Sequence, residues 1–426
     1  MKHFAFVLIA DSPLAIRSDH AQEGAETARY IPGITLAGSL AAVHRQFYPD
    51  RTDEFKSLFL SGQVQYPDLY PASFKNEDMQ NADYLPVYPL PATAQTCKRF
   101  QGFRHIFQDE DDEEGSRHGV RDSLLDWTVF RLLEKASVTD PAVLLDGFRK
   151  QKQCSFPGCE YALDRYAGYY RRDEQDGQMM YATVATRLQT HTGINRGTGT
   201  VQEGILYNRR VFEEDSRFWG AVKVADEVGP VFNRFIKDVG QSGLVRIGTG
   251  RTRGMGKVRI DSEEMKDEQR RFDDFEKRLA AFHQLLCDTA AKTPASAVVR
   301  PDQLFYFTLT LHSPVILRDA LLRYRCVIDE RVLANRLALP ADHFTLIHSV
   351  ASSRRIMGWN DLWGTPKVHE VAIETGSVFL FAASLPQQEL AQALFRLEEE
   401  GIGERRSEGF GRVCISDPFH REVKLR

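Results

Sequence analysis

The sequence predicts an α+β protein built from two tandem units, the first interrupted by a large insertion. Three observations predict it. The run Phe4-Ala-Phe-Val-Leu-Ile-Ala-Asp-Ser-Pro-Leu-Ala-Ile-Arg17 aligns without a gap on Phe305-Tyr-Phe-Thr-Leu-Thr-Leu-His-Ser-Pro-Val-Ile-Leu-Arg318. A glycine loop occurs twice, as Gly248-Thr-Gly-Arg-Thr-Arg-Gly-Met-Gly256 and as Gly401-Ile-Gly-Glu-Arg-Arg-Ser-Glu-Gly-Phe-Gly411. The segments leading into the loops also match: Phe218-Trp-Gly-Ala-Val-Lys-Val224 then a helix, and Ser377-Val-Phe-Leu-Phe-Ala-Ala383 then a helix. Self-similarity on this scale marks a duplicated structural unit.

Each unit reads as a strand, then strand, helix, glycine loop and strand. That order fits a split βαβ, ferredoxin-like fold with helices on one sheet face. Alternating apolar residues from Phe4 make the first strand. A turn and a helix follow in Tyr30 to Phe47. Leu390, Ala391, Ala393, Leu394 and Leu397 make a helix of Gln387 to Glu400. Arg412 to Ser416 and Lys257 to Ile260 read as closing strands. The first unit spans 1–260, with an insertion at about 50–205. A linking helix occupies 261–302, with Phe272, Phe275, Leu279, Phe282 and Leu286 at helical spacing, packed on a domain. The second unit spans 303–426.

Composition narrows the function classes. The 426 residues are 42% apolar and 27% charged, which suits two or three domains with proper cores. No apolar run is long enough to span a membrane. The apolar N-terminal run is short and leads into Asp11-Ser-Pro, so the expectation is a cytoplasmic protein without a signal peptide. A net charge of −4 argues against indiscriminate nucleic-acid binding but leaves room for a local basic groove. Six cysteines in a chain this long make no disulfide scaffold.

The glycine loops sit after a helix and before a strand, the reverse of a dinucleotide fingerprint. No Gly-Lys-Ser/Thr ends either loop, so a P-loop is excluded. Gly248, Gly250, Gly254 and Gly256, like Gly401, Gly403, Gly409 and Gly411, let backbone amides approach a phosphate. Arg251, Arg253, Arg405 and Arg406 add bidentate charge. The alternative is two tight turns with solvated arginines. Cys97, His118, Cys154 and Cys159 form a candidate structural zinc set, with His105 in reserve. Cys287, Cys326 and Cys414 read as core or helix residues. His191 and Arg196 lie in a polar hairpin with Arg187 and Tyr207, suited to RNA contact or to a plain surface. Arg17, His20, Ser39 and Arg45 surround the first strand and helix as further RNA candidates. Arg354 and Arg355 are weaker ones.

Together these motifs resemble the RAMP superfamily of CRISPR-associated proteins. Ile31-Pro-Gly-Ile-Thr-Leu-Ala-Gly38 stands where the family usually reads Ile-Pro-Gly-Ser-Ser-Leu-Arg-Gly; Thr35 and Ala37 replace serine and arginine. The closest likeness is to the two-domain subunit of type III-D effectors, carried by Cys97-Lys-Arg, His118-Gly-Val-Arg-Asp-Ser-Leu, Cys154 to Cys159 with Gly168-Tyr-Tyr, and Thr190-His-Thr-Gly-Ile-Asn-Arg196 with Gly204-Ile-Leu-Tyr207. The resemblance covers nearly the whole chain and implies two ferredoxin-like, RRM-like domains. It implies a non-catalytic subunit that caps the 5′ handle of the guide RNA. Its partners would be the large polymerase/cyclase-like subunit and the backbone RAMP subunits, with no membrane. Relatives that process RNA imply an alternative, a metal-independent endoribonuclease cutting precursor guide RNA with His20 or His44 as general base. A zinc-stapled scaffold that binds only proteins is the third reading.

Overall fold

The computed structural model describes residues 1–17, 27–72, 86–104, 117–135, 152–172, 179–194, 197–265, 268–360 and 364–422. In the first unit, β1 (Lys2–Ala10) is central. It pairs antiparallel with β4 (Arg217–Val224) on one side and β5 (Val258–Glu264) on the other. The short strands β2 (Val64–Gln65) and β3 (Tyr70–Pro71) pair with the outer edge of β4. Helix α1 (Gly33–Phe47) joins β1 to β2, and α2 (Gly229–Gly240) joins β4 to β5. Phe4, Phe6 and Leu8 alternate along β1 toward Leu36, Leu40 and Val43 of α1 and Phe232, Phe235 and Val239 of α2.

The second unit repeats the plan. Its sheet runs β7 (Phe344–Val350), β8 (Val378–Ala383), β6 (Phe305–Leu311), β9 (Val413–Ile415), the same order by connection as the first. Helix α4 (Glu330–Leu337) and helix α5 (Gln387–Glu400) cover one face, burying Leu333, Leu390, Leu394 and Leu397 on Phe307, Leu309, Phe379 and Phe381. These are the two ferredoxin-like units that the repeat predicts. Between them, β5 continues to Glu264, so the linking helix α3 (Glu268–Ala291) starts later than residue 261.

The opposite sheet faces are covered as well. Phe282, Leu286 and Ala290 of α3 pack with the helix Leu124–Lys135 on Tyr306, Leu380 and Ala382. In the first unit, Val7 and Trp219 pack against Val87 and Ala182 of a three-stranded insertion sheet. Among the described residues neither sheet therefore offers the bare face on which RRM domains stack bases.

Polar groups tie the units together. The buried Lys223 ammonium donates to the carbonyls of Glu398 (2.6 Å) and Glu399 (2.8 Å), at the C-terminal end of α5 where cations are favoured. His3 and Arg271 meet the Glu399 carboxylate at 2.8 and 3.2 Å. Burial alone would raise that carboxyl; the His3 bond and the charges of His3, Lys223 and Arg271 bring it down to about 2. Tyr170 donates to Asp417 (2.9 Å), and His420 lies between Asp122 (2.8 Å) and Thr310 (2.9 Å), so the insertion is fixed to the second unit. No described helix is long and apolar enough to cross a membrane.

Burial and nearby charge make acid unfolding predictable. Burial, with Arg131 adding to it, lowers His348 from 6.5 to about 4, and burial does the same to His3. Between those values the unfolded chain holds protons that the folded chain refuses, so stability falls as pH drops from 6.5 toward 4. The denaturant midpoint should be lower at about pH 5 than at about pH 7, and His348→Gln should flatten that dependence. Equal slopes for variant and wild type would exclude the assignment for His348.

Candidate nucleic-acid interface and metal centre

The two glycine loops share one hydrogen-bond skeleton with the two Ser-Pro turns. Thr249 N–H donates to the Ala15 carbonyl (2.8 Å), as Glu404 does to Ile316 (3.0 Å). Gly256 N–H donates to Pro13 (2.9 Å), as Gly411 does to Pro314 (2.9 Å). Lys257 N–H reaches the Ser12 hydroxyl (2.8 Å), as Arg412 reaches that of Ser313 (2.9 Å). Gly403 has φ +84°, and a Cβ there would lie 2.5 Å from the Ile316 carbonyl oxygen. Gly248 (φ +83°) meets Ala15 in the same way. These glycines are required by the close approach of two backbones.

This skeleton pairs Arg251 with Arg406, Gly250 with Arg405 and Arg253 with Glu408. The arginines of the two loops are therefore not equivalent, and their surroundings differ. The second loop is seated on the first unit. Tyr66 N–H donates to the Ser407 carbonyl (3.2 Å), and a Cβ on Gly33 would lie 2.9 Å from the Glu408 carbonyl oxygen. Asp68 accepts the Gly33 N–H (2.9 Å) at the start of α1. Arg405 is held by Glu370 and by Glu408 (2.7 Å), and Arg406 donates to the Glu400 carbonyl (3.0 Å). Half-buried and bonded within the second unit, these two arginines brace the loop whose main chain at Ser407, Glu408 and Gly409 forms the joint between units.

The first loop faces outward. Arg251, Thr252, Arg253 and Gly254 are exposed. Arg253 donates to the Tyr207 hydroxyl (2.6 Å) and Arg209 to the Thr249 hydroxyl (3.2 Å). Tyr207 stacks with His191 across the hairpin Thr186–Ile194/Val201–Phe212, ring centroids 5.2 Å apart. Leu188 and Leu206 project from the same hairpin, 58% and 67% exposed. The two leucines lie on the opposite face of the hairpin from His191, Tyr207 and Arg209, so the loop and the ring-bearing face make one continuous surface of cations and rings. The sequence offered no sign of the Arg209 and Arg253 bridges that join them.

Cys97, His118, Cys154 and Cys159 come together as the sequence predicts. One ligand atom from each lies within 4.8 Å of all the others. The strand Ala94–Cys97 pairs with Val120–Asp122 and Leu163–Arg165, which brings the segments into register. Cys97 Sγ and Cys159 Sγ are 3.8 Å apart, and His118 Nδ1 is 3.3 Å from Cys154 Sγ. Zn–S bonds of about 2.3 Å at the tetrahedral angle imply an S···S edge of about 3.8 Å, so the set fits zinc. Burial opposes ionisation of the Cys97 thiol, but amide hydrogen bonds from Phe100 and Arg99 and the neighbouring thiols lower its pKa overall. A second group, His312, Cys414 and Asp417, also converges. Its His312–Asp417 contact of 2.6 Å is a hydrogen bond, too short for two ligands separated by a metal.

A family model, the RAMP superfamily, matches residues 7–259, more than half of the chain. The chain belongs to the RAMP superfamily. No curated protein matches it significantly. Among solved structures, a chain of the type III-B Cmr-beta complex bound to cognate target RNA and AMPPnP is similar to this RAMP chain at 13% identity and a TM-score of 0.38, covering 88% of this chain and 86% of that one. Oligomeric Cmr4 from Pyrococcus furiosus is similar at 14% identity and a TM-score of 0.26, covering 62% of this chain and 99% of that one.

Several predicted site residues of this RAMP chain have other roles. His44 is fully enclosed by Tyr48, Phe55, Phe59 and Phe235, with its Nε2 3.3 Å from Glu54, so it has no access to a ribose. Ser39 is buried on the same helix face and cannot contact RNA. Cys326 is exposed rather than in the core. Arg17, Arg45 and Arg355 are exposed, and Arg354 donates to the Tyr30 hydroxyl (2.7 Å). His20, His105 and Arg196 lie outside the described residues.

Two outcomes follow from this geometry. Arg405→Ala should destabilise the chain by about 1–3 kcal/mol, because it strips a charged partner from the buried Glu370. Arg251→Ala should change stability by less than about 0.5 kcal/mol. Denaturant titration separates them, and equal effects would refute the structural role of Arg405. Purified protein should carry about one zinc per chain by elemental analysis, and Cys154→Ser with Cys159→Ser should remove it and loosen the insertion to protease. Full metal content in that variant would refute the ligand set.

Proposed function

We propose that this RAMP chain is a non-catalytic RNA-binding subunit of a type III CRISPR interference complex, serving antiviral defence in the cytoplasm. It caps the 5′ handle of the guide RNA and joins the large polymerase/cyclase-like subunit to the backbone RAMP subunits. The observation that carries the RNA reading is the exposed surface of the first glycine loop and hairpin, set against two sheets covered on both faces. Arg251, Arg253 and Arg209 take phosphates there. His191 and Tyr207 offer stacking faces. Such contacts hold RNA by backbone and shape, leaving sequence to base pairing. The zinc of Cys97, His118, Cys154 and Cys159 is structural, stapling an insertion whose own core is small.

The assignment departs from a symmetrical grip by both loops. The second loop holds Arg405 and Arg406 half-buried on its own unit, whereas the first loop presents Arg251 and Arg253 on the exposed surface, so the first loop is the one that meets RNA. The endoribonuclease alternative rests on His20 alone, because His44 is enclosed.

Fluorescence anisotropy with guide RNA tests the proposal. Arg251→Ala with Arg253→Ala should weaken binding by about tenfold or more and reduce the salt slope by about two. Precursor guide RNA should remain uncut by the purified chain. Unchanged affinity would remove the interface, and specific cleavage would restore the ribonuclease.

A further inference from the structure

We propose that the knuckle around the metal centre is a second platform, one that binds single-stranded RNA; this rests on the reading of the chain as an RNA-binding subunit and extends it to a separate surface. The geometry couples three rings to three ligands through the main chain. His118 N–H donates to the Phe100 carbonyl (3.1 Å), Cys159 N–H to that of Phe156 (3.0 Å), and Cys154 N–H to that of Tyr161 (2.9 Å). The His118 ring itself lies between Phe100 and Phe156, with centroid separations of 4.3 and 4.0 Å. Four ligands held on one ion therefore fix three aromatic residues relative to each other.

Guanidinium groups complete the surface. Arg99 lies 5.5 Å from the Phe100 centroid and 5.3 Å from that of Tyr161, and it bonds the Tyr161 hydroxyl. Arg104 lies 5.5 Å from the Phe156 centroid. Tyr161 is 42% exposed, and Lys98, Arg99 and Arg104 are exposed as well. Among the described residues no carboxylate pairs with these three cations. Other exposed arginines are held by carboxylates, as Arg187 is by Glu214, Arg259 by Asp11 and Arg323 by Asp319, though not all are.

Unmatched cations stacked on flat rings suit a ligand that alternates phosphates with unpaired bases. A duplex hides its base faces and would use the charges alone. An acidic protein would likewise meet the charges and leave the rings without a role.

The test uses the full chain and a fluorescein-labelled single-stranded RNA of mixed sequence, with the same sequence as a duplex. Arg99→Ala with Arg104→Ala should weaken single-strand binding about tenfold and lower the salt slope by about two. Zinc content should stay at the wild-type level, since neither arginine is a ligand. Tyr161→Leu should weaken single-strand binding several-fold without changing the slope, the mark of stacking rather than charge. If wild type binds, the Arg251→Ala/Arg253→Ala variant binds weakly and the knuckle variants bind as wild type, the platform is overturned and the loop interface stands. If wild type binds no RNA, both fall. Knuckle variants that keep RNA affinity but lose a protein neighbour in co-purification would make the patch a protein-docking surface and overturn the proposal.

Discussion

The chain depends on one close backbone approach, made twice. A glycine at the start of each loop presses against the carbonyl two residues after a Ser-Pro turn, and the turn's hydroxyl receives the amide that follows the loop. This clamp joins the end of the first strand to the beginning of the last. It lies at one end of each sheet, the five-stranded first and the four-stranded second. A side chain at Gly248 or Gly403 would force those elements apart, so the sheet order and the position of everything on the loop follow from the absence of one Cβ.

The duplicated clamp then serves two purposes. At the second loop, Gly409 and Ser407 lie against Tyr66, Asp68 and Gly33, and the arginines are consumed by Glu370, Glu408 and a helix carbonyl. At the first loop, the same scaffold carries exposed arginines bridged to a hairpin. Arg405 occupies, at φ +56°, the left-handed position that Gly250 fills in the first loop. A residue other than glycine pays in strain there, and its bonds to two carboxylates offset that cost. On one scaffold, one loop faces inward and the other outward.

Much of this was legible in the sequence. The gapless strand repeat, the two loops and the helix of Gln387 to Glu400 all depend on local pattern, which sequence records directly. The Cys/His set was legible because few chemistries use those residues together. What sequence hides is the partner of a charged side chain. Arg405 and Arg251 read alike, yet Glu370 lies far along the chain from Arg405 and decides its role. His44 had a readable sign: with Leu36, Leu40 and Val43 it falls on the apolar stripe of α1. Ser39 shares that stripe. Cys326 misled because Tyr324 and Val327 beside it suggested a core, whereas it sits in an exposed loop. The rings of the knuckle come from two segments far apart in the chain, so no local window contains them.

The joint also orders the life of the chain during synthesis. The first unit is complete once Glu264 has been made, but the surface around Gly33 and Asp68 is covered only when the loop ending at Gly411 exists. A ribosome therefore exposes a folded unit with its docking face bare while the whole second unit is still being translated. Until Gly409 arrives, that face is open to premature pairing with the matching loop of another nascent chain, and the pace of translation through the second unit becomes a determinant of correct assembly.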